Sequence, residues 1–160
     1  MKFHNVFSLV EFDELKAAVI DASSIIYLSK LRMADELTNY ISLYTTSQIV
    51  VEANLPLAGM EIVVVTENNF SNDENLIKFA NEKQLPIISD DRKVLLTAQK
   101  LNLRYYNSLM MLLFLVYKRV IQLETFNVLE KKLSAIAYYS DDVIKFGKKV
   151  LHEIMNQLTL

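Results

Sequence analysis

A chain of 160 residues with a net charge of −2 and 52% hydrophobic content is sized for one domain with an ordinary core, and is neither disordered nor strongly basic. With no cysteine it can form no disulfide, thiolate nucleophile or Cys-ligated zinc or iron–sulfur site. Its two glycines, Gly59 and Gly147, exclude a GxGxxG turn and a Walker A loop, and His4 and His152 lie near opposite ends, so any enzymatic chemistry falls to carboxylates and hydroxyls.

The first predicted element is the apolar run over residues 17–21, a buried strand that delivers Asp21 to its C-terminal end. Ser23 or Ser24 is expected to cap the helix that follows, with Ile25, Ile26, Leu28 and Leu31 on its apolar face. A second helix is predicted over about residues 33–43. Thr45-Thr46-Ser47 offers hydroxyl caps for a short helix that carries Ile49, Val50 and Glu52 and ends near Pro56. Glu61 to Val65 is a β-branched strand candidate. Ser71 or Asn72 caps the next helix, whose Leu76, Ile77, Phe79 and Ala80 face a core.

Leu85-Pro86-Ile87-Ile88-Ser89 reads as a strand ending in Asp90-Asp91, followed by a helix through Val94, Leu95, Ala98 and Leu101. A brief strand near residues 103–106 precedes an apolar helix from Ser108 to about Lys118. Its Leu109–Tyr117 stretch is too short to span a bilayer and reads as core rather than as a dimer surface. Two more helices are predicted over 124–136 and 140–158; the last has Val143, Phe146, Val150, Ile154 and Leu158 on one face, with His152 in a structural role. Strands alternating with helices imply a parallel sheet flanked by helices. Without repeats or a linker, residues 1–160 are expected to form a single domain, with 120–160 as a helical C-terminal extension of it. The segment Met1-Lys2-Phe3-His4-Asn5 lacks a sustained apolar run, so a cytoplasmic protein with no membrane association is expected.

Taken singly, each acid has an ordinary explanation. Asp21 can cap a helix, Glu52 can face solvent, and Asp73, Glu74, Asp90 and Asp91 can favour helix N-termini. Lys93, Lys100, Arg104, Lys118 and Arg119 read as solvated helix faces. Together the acids say more, because groups that follow parallel strands collect along one edge of the sheet. Clustered carboxylates repel one another unless protonated or bound to a cation, and an all-oxygen set suits Mg²⁺ or Mn²⁺.

The ordered set resembles the PIN-domain nucleases, especially VapC-like toxin ribonucleases. The resemblance is carried by Val19-Ile20-Asp21-Ala22-Ser23-Ser24-Ile25-Ile26, Ser47-Gln48-Ile49-Val50-Val51-Glu52, Asp73-Glu74-Asn75-Leu76-Ile77-Lys78-Phe79-Ala80 and Pro86-Ile87-Ile88-Ser89-Asp90-Asp91-Arg92. It runs from about residue 17 to 120. It implies a three-layer α/β/α fold with a central, mainly parallel sheet and additional C-terminal helices. It also implies hydrolysis of RNA phosphodiester bonds, with Mg²⁺ or Mn²⁺ held by Asp21, Asp73 and Asp91 and the acidic site completed by Glu52. Spacing favours Asp73 over Glu74 in the third position and Asp91 over Asp90 in the last, with Asp90 either assisting at the metal or facing solvent and Ser23 as an accessory hydroxyl. Homodimerisation and an antitoxin partner are further family-level expectations. Two other readings stand beside this one: a non-catalytic PIN-like module that binds RNA or protein, and a metal-dependent phosphatase. Asp21-Ala22-Ser23 lacks the second Asp of the haloacid-dehalogenase pattern, which weakens the phosphatase.

Overall fold

A short helix, α1 (Val10–Glu14), precedes the first strand, β1 (Ala17–Ile20), in the computed structural model, which describes residues 7–54, 60–63 and 70–159. The chain divides into two compact units: Lys16–Ser108, and the segments up to Leu15 and from Leu109 onward.

In the first unit β1 leads into α2 (Ala22–Lys30), α3 (Ala34–Thr38), β2 (Ser42–Thr46), α4 (Ser47–Ala53) and β3 (Glu61–Val63). Then come α5 (Asn72–Lys83), β4 (Ile87–Ile88), α6 (Arg92–Lys100) and β5 (Tyr105–Tyr106). The sheet order is β3-β2-β1-β4-β5, and every pairing is parallel. Parallel strands are covered on both faces, and the sequence supplies the apolar runs this needs. Val19, Ile20, Leu43, Ile87 and Ile88 are fully buried, each contributing about 1.5–3 kcal/mol.

From β1 the chain moves outward through β2 to β3, then crosses β1 to reach β4 and continues to β5. Crossovers between parallel strands are right-handed, so the reversal of direction puts α2 and α4 on one face and α5 and α6 on the other. Accordingly α2 packs against α3 and α4, while α5 packs against α6. The architecture is a three-layer α/β/α fold with a central parallel sheet, and the C-terminal helices are additional to it. The reversal falls between β1 and β4, and the crevice beyond the C-terminal ends of two such strands is where open α/β sheets bind ligands.

The structure corrects three local expectations. The helix predicted over 33–43 stops at Thr38, and Ser42–Thr46 is the second strand. The i, i+4 spacing of Leu37 and Ile41 mimics a helix face, but Leu43-Tyr44-Thr45-Thr46 is aromatic and β-branched and pairs on both sides. Helix α2 begins at Ala22 with Asp21 itself as N-cap, so Ser23 and Ser24 lie inside its first turn and do not cap it. Helix α1 had no counterpart among the predicted elements. Elsewhere Thr46 and Ser71 cap α4 and α5, accepting from the N–H groups of Ile49 and Glu74 at 3.2 and 3.1 Å. Helix α4 ends at Ala53 with Asn54 left-handed (φ 51°); Pro56 and the end of the strand expected at Val64 and Val65 lie outside the described residues.

In the second unit, α7 (Ser108–Tyr117) contributes residues from Leu109 onward, joined by α8 (Leu123–Ala137) and α9 (Asp141–Leu158). Leu109 through Val116 are all buried, in keeping with the core reading of that stretch. Phe12 of α1 meets Phe7, Phe114 and Tyr117 at ring-centroid distances of 5.1, 5.5 and 5.7 Å. Gly147 of α9 lies against Leu109, close enough that a Cβ there would come within 2.9 Å of Leu109 Cδ2. Buried residues at spacings of three and four, Phe126-Leu129-Leu133 on α8 and Gly147-Val150-Ile154 on α9, mark the inward faces of these helices.

Candidate functional site

Asp21 is held at the C-terminal end of β1 by backbone and side chain together. Its N–H donates to the Ile88 carbonyl of β4 at 2.9 Å, which continues the ladder one residue past the strand. Its Oδ1 accepts the Ala22 N–H at 2.8 Å, and its Oδ2 accepts the Ser89 hydroxyl at 2.8 Å. The side chain is only 3% exposed. Burial in this apolar setting pushes its pKa from 3.8 up to about 6, with Asp73 and Glu52 adding to the rise while the Ser89 and Ala22 hydrogen bonds oppose it.

Asp73, in the first turn of α5, is half-buried, and its pKa is also raised, first by burial and then by the carboxylates of Asp91 and Glu52. Glu74 beside it is exposed and takes no part in this coupling. Glu52, on the last full turn of α4, is exposed and accepts a hydrogen bond from Asn72 Nδ2 at 3.3 Å. Asp91 caps α6, its Oδ1 accepting the Lys93 N–H at 2.8 Å. Asp21, Glu52, Asp73 and Asp91 come from four separate segments, yet the charges of Asp73 and Glu52 bear on Asp21 and those of Asp91 and Glu52 bear on Asp73.

Asp90 is placed differently. Its Oδ2 accepts the hydroxyls of Ser24, at 2.6 Å, and Ser108, and the Ser108 N–H lies 3.2 Å from its Oδ1. Its own N–H donates to Ser23 Oγ at 3.1 Å. Burial and the Asp90 charge both push the Tyr27 phenol upward.

Three supporting residues were not singled out from the sequence. Ser89, fully buried, donates to Asp21 and accepts the Asp91 N–H at 3.0 Å, bridging two of the acids. Ser108 and Asn72 make the contacts to Asp90 and Glu52 just described. A serine between an apolar strand and two acids is a legible signal for Ser89; for Ser108, distant in sequence, there is none.

The donor set is all oxygen and carries only negative charge, which fits a hard divalent cation in kind. Among the described residues, however, no three His, Asp or Glu side chains converge on a common coordination point. Mg²⁺ commonly takes one or two protein carboxylates and keeps several waters, so a three-carboxylate convergence is not a requirement for it. Among the described residues no helix is long and apolar enough to cross a membrane.

No family model matches the sequence, and no curated protein does so either. Among solved structures, the chain aligns with a PilT N-terminus domain protein from the hyperthermophilic archaeon Sulfolobus solfataricus P2. That protein is 16% identical, the alignment covers 59% of this chain and 89% of that one, and the TM-score is 0.47.

Proposed function

We propose that the chain is a metal-dependent nuclease that hydrolyses RNA phosphodiester bonds at the crevice beyond β1 and β4. The observation that carries this reading is a nearly inaccessible Asp21 that bears the like charges of Asp73 and Glu52, with Asp91 acting in turn on Asp73. Such a group is destabilising in the free protein and becomes favourable once a cation enters. Asp21 and Asp73, with Asp91, would hold Mg²⁺ or Mn²⁺ directly or through water. The bound ion would supply a water of lowered pKa and offset charge that builds on the phosphate. Glu52 is the exposed member of the set and is free to reach a solvent molecule, so it would orient the attacking water and accept its proton. The hydrogen bond from Asn72 sets its direction. RNA, rather than single-stranded DNA, is chosen on the VapC-like sequence resemblance. The same resemblance suggests a cytoplasmic toxin, working as a homodimer and restrained by an antitoxin.

A second reading, a PIN-like module that binds RNA without cutting it, draws on the absence of a three-carboxylate convergence among the described residues. One experiment separates the two. Purified protein and Asp21→Asn are incubated with labelled oligoribonucleotides, with and without Mn²⁺, while binding is followed by fluorescence anisotropy. The nuclease reading expects metal-dependent cleavage by the parent protein, lost by at least 100-fold in the variant with binding retained. Binding without cleavage across an RNA panel would establish the second reading instead.

A further inference from the structure

We propose that Asp90 is a positioning residue that fixes the spacing of Asp21 and Asp91, and is not itself a ligand; the inference rests on the acidic-site reading above. The observation is a convergence of three chain segments on one carboxylate. Ser24 comes from the first turn of α2, immediately after Asp21. Asp90 itself follows β4, and Ser108 follows β5. Ser24 and Ser108 are both fully buried, and their hydroxyls donate to the same Asp90 oxygen. The Ser108 N–H adds a third donor, and the Asp90 N–H returns a bond to Ser23 Oγ.

Two neighbours extend the arrangement to the acids. Through Ser89 the same tripeptide reaches Asp21 Oδ2 and the Asp91 N–H. Each residue of Ser89-Asp90-Asp91 therefore ties a different group into place. Charge-assisted bonds from hydroxyl to carboxylate are short and stronger than neutral ones, which suits a fixed joint better than a mobile ligand. Oδ2, already accepting two hydroxyls, has little capacity left for a cation, and Oδ1 is turned to the Ser108 N–H.

The test is Asp90→Asn, which keeps the side chain's size. With its amide oxygen at the doubly accepting position, its nitrogen must face the Ser108 N–H, so the joint loosens. Amide hydrogen exchange is measured well below the melting temperature. The expected result is exchange faster by about 10-fold or more at Ser108 and Asp90, and also at Ala22 and Asp91, with the amides pairing β2 to β3 unchanged. Ser24→Ala should give the same pattern more weakly. Unchanged protection at Ala22 and Asp91 would overturn the proposal, as would a uniform rise across the sheet, the mark of a purely stabilising role. If the parent protein cleaves RNA, Asp90→Asn should lower kcat about 10-fold with KM within about twofold, and Asp90→Asn and Ser24→Ala should raise the Mn²⁺ midpoint in the same direction, the serine variant less. A midpoint displaced in Asp90→Asn but unmoved in Ser24→Ala would identify Asp90 as a ligand and overturn the proposal. If the parent does not cleave, the nuclease reading fails by itself, and the exchange pattern still decides the role of Asp90.

Discussion

Replacing Asp21 by Asn removes an ionisable group whose charge the fold disfavours. In the folded protein Asp21 keeps its proton up to about pH 6, whereas an unfolded chain releases it near the ordinary value of 3.8. Between those values the folded state binds more protons, so stability falls as pH rises through the window and the full cost is present above it. The gap between about 6 and 3.8 corresponds to about 3 kcal/mol. Asn keeps the acceptor for the Ala22 N–H but turns a donor toward Ser89, which offsets about 1 kcal/mol of that gain. At about pH 7.5, without divalent cations, the variant should be more stable by about 2 kcal/mol, or several degrees in melting temperature for a chain of this size.

The offset from the lost hydrogen bond is nearly independent of pH, so a difference of differences isolates the charge. Integrating the proton linkage between about pH 4.5 and 7.5 gives a change of about 2 kcal/mol in the variant's advantage, growing toward higher pH. Urea denaturation followed by circular dichroism, at both pH values and for both proteins, measures it. Asp73, raised in the same direction, is present in both proteins and largely cancels. An advantage that is flat with pH, or that shrinks as pH rises, would refute the burial argument for Asp21.

Other expectations follow from the same structure. Asp73→Asn should move the Asp21 titration midpoint below about 6, read by carboxyl ¹³C NMR, while Glu74→Gln should leave it in place, since the charges that add to the rise at Asp21 are those of Asp73 and Glu52. Thr46→Ala deletes the cap of α4 and should cost about 1 kcal/mol in urea denaturation. Gly147→Ala should stay within about 1 kcal/mol of the parent, because helix propensity gained offsets the push on Leu109. Gly147→Leu has no such room and should lose about 1–3 kcal/mol by overpacking, as thermal melts would show.

Much of this architecture was legible because the local signals agree with the fold. Ser71 and Asp91 follow apolar or polar breaks and open helices whose buried faces keep the 3.6-residue period. Strand β2 was not legible, since Leu37 and Ile41 continue a helical spacing into residues whose strand conformation is decided by pairing with β1 and β3. Spacing could rank Asp91 over Asp90 along the chain, but not say which groups each would meet. Asp90 and Asp91 are adjacent and chemically identical, and only the topology sends one toward the hydroxyls of Ser24 and Ser108 and the other to the helix end beside Asp73. Distances between elements remote in sequence make that choice, and no periodicity encodes them.

Helix capping alone does not explain Asp21. Ser or Asn would accept the Ala22 N–H as well and carry no charge to desolvate. An exposed Asp would cap α2 without the cost of burial, as Asp91 does at α6 from a less buried position. The charges that bear on Asp21 are those of Asp73 and Glu52, which raise its cost further. Ser89 and Ala22 lower that cost without removing it. A buried carboxylate with negative neighbours therefore violates the local rules that the rest of the sheet obeys, and such violations concentrate where a protein binds or reacts. A divalent cation in the crevice would relieve burial and repulsion together, which is why stability without metal and affinity for metal should change in opposite directions when Asp21 is neutralised.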